Sequence, residues 1–89
     1  MIRTEYDFVL PVGYASETGT LQKRGTMRLA NAADEIAPMK DRRVQSNPAY
    51  LTILLLSRVI TRLGNIKEIT SEVIEGLYSK DFAYLQEMY

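Results

Sequence analysis

Residues 47–64 read NPAYLTILLLSRVITRLG, and this stretch decides how the rest of the chain is expected to fold. Asn47 is a preferred helix-capping residue, Pro48 suits the first helical position, and Gly64 is typical of a helix end. Nearly every position from Ala49 to Leu56 is apolar, whereas a helix on the side of a small domain needs only one apolar stripe. The stretch therefore predicts one central apolar helix that is covered on several sides.

Two interpretations of this helix stay open. In the first, it is the core of its own chain and is wrapped by the other elements. In the second, part of its circumference binds another protein, as when an amphipathic partner helix packs against Leu51, Leu54 and Leu55. The two can hold together, because one face of a helix can be core while another is an interface.

The amino-terminal part of the chain predicts a β-hairpin. In residues 4–10 apolar and acidic side chains alternate, as in a half-buried strand that is expected to end at Pro11 and Gly13. A second alternating run follows in residues 21–29. Gly25 lies on the apolar side of this run, which indicates a bulge or a close approach of another backbone.

Further helix signals lie on both sides of the central helix. Asn31 is a candidate cap, Asp34 and Glu35 follow in the first turn, and Pro38 limits the helix that Asn31 begins. The polar residues 40–43 are expected in a turn or at the start of a loop. Thr70 and Ser79 are the expected starts of two more helices.

Together these signals predict an α+β protein in which an N-terminal β-hairpin is followed by three to four short helices around one central apolar helix. One small domain is expected over residues 1–89, with the hairpin in residues 1–30 and the helical part in residues 31–89. A chain of this size buries a modest core, so association with a partner or with a second copy would stabilise it.

The composition argues against most kinds of enzyme. The 89 residues include no cysteine and no histidine, which excludes disulfides, thiolate metal sites and serine–histidine or cysteine–histidine catalysis. The acidic residues that could suggest acid–base chemistry fall in the first turns of predicted helices, where they complement the helix dipole: Asp34, Glu35, Glu72, Glu75 and Asp81. We therefore expect a protein that is not an enzyme and that needs no cofactor and no metal.

Charge and hydropathy narrow the expected partners. The formal net charge is zero, which argues against sequence-independent binding of nucleic acid. The longest uninterrupted apolar run is residues 53–56, well short of the roughly 20 residues that span a bilayer. The opening residues MIRTEYD lack the pattern of a signal peptide. The expected location is the cytoplasm, without contact to membrane or nucleic acid.

The charges are unevenly distributed along the chain. Residues 22–44 contain six basic and three acidic residues, whereas residues 66–89 contain two basic and five acidic residues. Two ordinary solvated faces would explain this distribution. The alternative is that one end of the molecule attracts the other end of a neighbouring copy.

The order of features also carries a family resemblance. A strand ending in MRLA (residues 27–30) runs into NAADEI (residues 31–36), and NPAYL (residues 47–51) opens a leucine-rich helix that closes on TRLG (residues 61–64). The last part of the chain contains LYSKDFAYL (residues 77–85). This order resembles the small tail assembly proteins, or tail assembly chaperones, of contractile-tailed phages and phage-like elements.

The resemblance implies a non-enzymatic assembly factor that coats the tape-measure protein before the tail tube forms around it. It implies binding to the tape-measure protein or other tail proteins, self-association into a homo-oligomer, and a location in the host cell cytoplasm. The residues expected to bind the partner are Tyr50, Leu51, Leu54, Leu55, Arg58 and Arg62, with the two arginines pairing with its acidic residues. The alternatives are a small structural subunit of a phage tail or contractile injection particle and a DNA-binding regulator of a prophage.

Overall fold

The structure is a computed structural model that describes residues 4–16 and 19–89. It is an α+β protein, as predicted, and its antiparallel sheet has three strands rather than the two of the predicted hairpin. In chain order the elements are β1 (Glu5–Ala15), β2 (Leu21–Arg28), α1 (Ala32–Ile36), a 3₁₀ helix (Ala37–Lys40), α2 (Arg42–Ser46), α3 (Tyr50–Val59), β3 (Ile60–Leu63), α4 (Ser71–Glu75) and α5 (Ser79–Met88).

The sheet has β2 at its centre, with β1 and β3 on either side. The predicted hairpin of β1 and β2 is confirmed. One face of the sheet contributes buried apolar side chains, among them Phe8, Met27 and Leu63, to the same core as Leu56 of α3 and Leu85 of α5. Sheet and helices therefore share one hydrophobic core, because a lone hairpin has too little apolar surface to be stable.

The predicted close approach at Gly25 is confirmed. A Cβ atom at this position would lie 2.4 Å from the carbonyl oxygen of Arg62 and 2.4 Å from the ring of Phe8. Both distances are far below van der Waals contact, so only glycine lets β3 and the Phe8 ring pack this closely on β2.

Strand β1 does not end at Pro11 and Gly13, as the sequence predicted, but continues to Ala15. The pairing with β2 shifts register between Val9 and Tyr14, so the intervening residues form a bulge. Proline has no backbone N–H, and a bulge in an edge strand is one of the few places in a sheet that tolerates it.

The carboxylate of Asp81, in α5, supports this bulge. It is completely buried, and its two oxygens accept hydrogen bonds from the backbone N–H groups of Val12 (2.8 Å) and Gly13 (2.9 Å). The bulge removes these N–H groups from regular strand pairing, and the carboxylate replaces the acceptors that they lose. A contact between residues almost 70 positions apart therefore allows β1 to pass the residues that were expected to end it.

The apolar helix α3 is shorter than predicted at both ends: it begins at Tyr50, with Ala49 rather than Asn47 as its N-cap, and it ends at Val59 rather than near Gly64. The chain continues directly into β3, which pairs with β2 and buries Ile60 and Leu63. β-branched residues occupy positions 59–61, and such residues favour strands over helices. Gly64, with a φ of 56°, then forms the turn after β3 rather than the end of a helix.

The other helix starts were predicted with mixed success. Asn31 and Thr70 are N-caps whose side chains accept backbone hydrogen bonds, as expected. Ser79 is the first residue of α5 rather than its cap. Residues 40–43 were expected in a turn or loop, but the side chain of Asp41 caps the short helix α2. This second short helix and β3 are the elements that the predicted order lacked.

Candidate protein-binding surface

The carboxylate of Asp34 is the centre of the polar contacts around α1. Only 1% of Asp34 is exposed. The backbone N–H of Asn31 donates to it at 2.8 Å, and the side chain of Asn31 accepts from the backbone N–H of Asp34 at 3.1 Å. This reciprocal pair is a capping box, so the local sequence NAAD places the carboxylate at the start of α1.

Two arginines from distant elements converge on Asp34. Arg28, at the end of β2, donates through both terminal nitrogens, at 2.7 and 2.9 Å. Arg58, in α3, donates through Nε at 3.1 Å. The hydrogen bond from Arg28 and the backbone hydrogen bond from Asn31 hold the pKa of Asp34 well below its usual range, and the pKa of Arg28 is raised in turn. The carboxylate therefore links β2, α1 and α3.

Arg58 also lines a surface depression of about 430 Å³ between the 3₁₀ helix and α3. The lining residues are Ala37, Pro38, Lys40, Asp41, Leu54, Ser57 and Arg58. Pro38 and Leu54 are buried and supply an apolar floor. The depression therefore combines apolar surface with charged groups at its edge.

The charges at this depression are not all compensated. Asp41 is paired with Arg43 at 2.9 Å, and the hydrogen bond from that side chain lowers the pKa of Asp41 to about 2. Arg58 uses its Nε for Asp34, and its two terminal nitrogens donate no hydrogen bond within residues 4–16 and 19–89. Lys40 forms no ion pair with any described residue. Two cationic groups are thus available to an anionic group from outside.

Two exposed apolar side chains lie beside these cations in the sequence. Ile36 and Met39 are each 58% exposed, more than any other large apolar residue that the structure describes. A 3₁₀ helix has three residues per turn, so Met39 follows Ile36 on one side of the chain, and Lys40, the next residue, lines the depression. We call the five residues of this region the Arg58 surface: Ile36, Met39, Lys40, Leu54 and Arg58.

The structure places the six predicted partner-binding residues in different environments. Leu54 is buried, and Tyr50, Leu51 and Leu55 are half-buried. Of the residues of α3, which is described in full, only Arg58 is exposed. Because the chain itself covers so much of α3, the buried Leu54 offers at most the floor of the depression, and the binding role of the group stays a prediction.

The two ends of the predicted group have particular surroundings. The hydroxyl of Tyr50 donates to Glu75, and the guanidinium of Arg43 lies 5.0 Å from the centre of the Tyr50 ring. Arg62 lies in β3, paired with Thr26, and not on the same helix as Arg58. The sequence interpretation missed Ile36, Met39 and Lys40. The polar and apolar residues around Pro38 were the available signal, but they indicated only a helix end.

A second depression, of about 460 Å³, lies where the end of β2 meets the end of α5. Its lining is mainly apolar: Tyr6, Met27, Arg28, Leu29, Ala30, Glu35, Met88 and Tyr89. Arg28 is already bonded to Asp34, and the hydroxyl of Tyr89 donates to Glu35 at 3.4 Å. Burial, with the nearby Glu35 carboxylate, raises the pKa of Tyr89. This depression offers apolar contact but no cation without a partner.

The described part of the chain contains no group of three or more acidic residues placed to hold a metal ion. Among the same residues, no helix combines the length and the apolar character needed to cross a membrane. Comparisons with protein-family models, with curated proteins and with solved structures found no match.

Proposed function

We propose that this protein is a phage tail assembly chaperone, a non-enzymatic factor that binds a helical segment of the tape-measure protein through the Arg58 surface. The observation that carries the proposal is that residues 36–40, which include the two most exposed large apolar side chains of the described residues, border the depression that Lys40 and Arg58 line. Lys40 has no ion-pair partner among the described residues, and Arg58 pairs with Asp34 through Nε only. The resemblance of residues 6–89 to tail assembly proteins supports the same reading. Such a factor acts in the host cytoplasm.

The chemistry of the surface fits an amphipathic helix with acidic residues beside its apolar stripe. Ile36 and Met39 offer apolar contact to such a stripe, and methionine adapts well to partners of varied shape. Arg58 and Lys40 would pair with the flanking carboxylates, which adds orientation and speeds association more than it adds affinity. A long tape-measure helix exposes apolar stripes along its length, so several copies of the protein would be needed to cover it.

The proposal is tested by co-expression with the tape-measure protein encoded in the same phage region and purification through a tag on this chain. Replacing both Ile36 and Met39 with serine should lower the recovered tape-measure protein about tenfold or more, since both apolar contacts are lost. The matched control replaces Val9 with threonine and Tyr78 with serine, because these side chains are also more than half exposed but lie outside the Arg58 surface. Equal recovery with both double variants would reject the surface, and no recovery with the unchanged chain would reject the function.

The main alternative function is a structural subunit of the finished particle. Mass spectrometry of purified tails separates the two, because a chaperone leaves before the tail is complete. Stoichiometric amounts of this chain in purified tails would favour the structural subunit. The self-association expected from the small size of the chain is also part of the proposal.

A further inference from the structure

Three basic residues lie together at one end of the sheet. Lys23 and Arg24, in β2, and Arg62, in β3, line a depression of about 420 Å³ together with Leu21, Gln22 and Gly64. All three basic side chains are exposed, and none forms an ion pair with another described residue. We call Lys23, Arg24 and Arg62 the basic patch.

The backbone holds the basic patch in place. Gly64 donates its N–H to the carbonyl oxygen of Arg24 at 2.7 Å, and Arg62 pairs with Thr26, two residues beyond Arg24 in β2. The buried side chain of Gln22 accepts from the N–H of Asn65 at 3.3 Å, which ties the turn after β3 to β2. Arg24 and Arg62 therefore lie on one face of paired strands, and Lys23, the neighbour of Arg24 in β2, starts from the opposite face.

A group of acidic residues occurs around the start of α4. Glu68 and Glu72 are exposed, and neither forms an ion pair within the described ranges. Thr70 caps α4 through a hydrogen bond to the N–H of Val73, which fixes the backbone between the two glutamates. The charge of this acidic group is opposite to that of the basic patch.

We propose that the basic patch of one copy of this chain binds Glu68 and Glu72 of a second copy. The charges of the two surfaces are complementary, and the pairing would relieve like-charge repulsion in both. The net charge of the chain is zero, which argues against sequence-independent binding of nucleic acid as the role of the basic patch. None of these residues belongs to the Arg58 surface. The contact rests on the self-association that is part of the proposed function, and it does not depend on binding of the tape-measure protein.

The test is sedimentation analysis of the purified chain over a range of concentrations. Self-association should weaken from low salt to about 0.5 M salt, where ionic screening is strong. The double variant Arg24→Glu with Arg62→Glu, and separately the double variant Glu68→Lys with Glu72→Lys, should each raise the dissociation constant about tenfold or more. Circular dichroism and thermal unfolding confirm that each variant is folded.

Two further variants separate this contact from a general effect of charge. Arg42→Glu with Lys80→Glu changes the net charge as much as the first double variant, at exposed positions outside the patch, and should associate like the unchanged chain. A fourfold variant combines Arg24→Glu and Arg62→Glu with Glu68→Lys and Glu72→Lys, and its net charge is again zero. Its two surfaces still carry opposite charges, with the signs exchanged, so its association should return. A monomeric unchanged chain at low salt, no recovery in the fourfold variant, or preferred binding of single-stranded DNA would overturn the inference. Loss of tape-measure binding with this association intact would overturn only the proposed function.

Discussion

Asp34 shows how one residue can join three elements. Its position follows from a local capping box, but its partners Arg28 and Arg58 come from β2 and α3. A carboxylate that is almost fully buried needs hydrogen bonds to offset the cost of removing it from water, and Asp34 accepts them from two guanidinium groups and from a backbone N–H. The packing of α1 against the rest of the molecule therefore depends on this side chain.

Replacing Asp34 with asparagine should lower the free energy of unfolding by about 2 kcal/mol, since charge-assisted hydrogen bonds to both arginines are weakened. Urea unfolding followed by circular dichroism measures the change. Asp41→Asn is the control, because Asp41 is also paired with an arginine but is more exposed, and its effect should be smaller. An Asp34→Asn variant as stable as the unchanged chain would show that the paired charge contributes nothing.

The same residue predicts how stability depends on pH. The folded structure lowers the pKa of Asp34, chiefly through the hydrogen bond from Arg28, so the unfolded chain binds a proton more readily. The stabilisation is fully present above the ordinary aspartate pKa of about 3.9 and is lost progressively as the pH falls below it. From about pH 6 to about pH 2, the free energy of unfolding should fall less steeply in Asp34→Asn than in the unchanged chain, because the variant lacks this titrating carboxylate. Equal slopes would contradict this account.

Among the elements, β1 and α5 depend on each other more than the chain order suggests. In the bulge of β1, the backbone N–H groups of Val12 and Gly13 donate their hydrogen bonds to the carboxylate of Asp81. This contact explains why an edge strand can contain Pro11 and still reach Ala15. It also gives α5, which carries the buried Leu85, a polar attachment to the sheet.

Asp81→Ala should destabilise the protein by about 2–4 kcal/mol, because two backbone N–H groups lose their acceptor at a buried site. Hydrogen exchange followed by NMR should show faster exchange at Val12 and Gly13 than in the unchanged chain. Glu87→Ala, an exposed position in the same helix, is the control and should leave these two rates unchanged. Unaltered exchange in Asp81→Ala would mean that the bulge is held by other contacts.

The molecule as a whole has one core to which both sheet and helices contribute. Phe8, Leu10 and Met27 from the hairpin pack in the same cluster as side chains of α3, α4 and α5. We therefore expect the hairpin part and the helical part to fold as one unit, because they share this cluster of buried side chains.

A synthetic peptide of residues 1–30 should accordingly lack stable structure in water, whereas the full chain unfolds in one cooperative step. Far-ultraviolet circular dichroism of the peptide and coincident thermal transitions of the full chain, followed by two probes, test this expectation. A strand signal from the isolated peptide, or two separate transitions in the full chain, would show that the two parts are independent.

Local patterns in the chain were enough to predict the α+β class, the hairpin, the close approach at Gly25 and the caps Asn31 and Thr70. These features depend on side chains within a few positions of one another, so the sequence contains their causes directly. The Arg58 surface was predicted only in part. Leu54 and Arg58 were identified from the apolar helix, but Ile36, Met39 and Lys40 belong to a segment that meets α3 only in the folded chain.

The sequence alone therefore determined the hairpin and the starts of α1 and α4, because alternation and capping act over short distances. Tertiary structure decided that α3 ends at Val59, since residues 60–63 gain more from pairing with β2 than from continuing a helix. It also decided the course of β1 through its bulge and the burial of Asp34 between two distant arginines. Each of these outcomes depends on hydrogen bonds and packing between residues far apart in the chain, which no local pattern records.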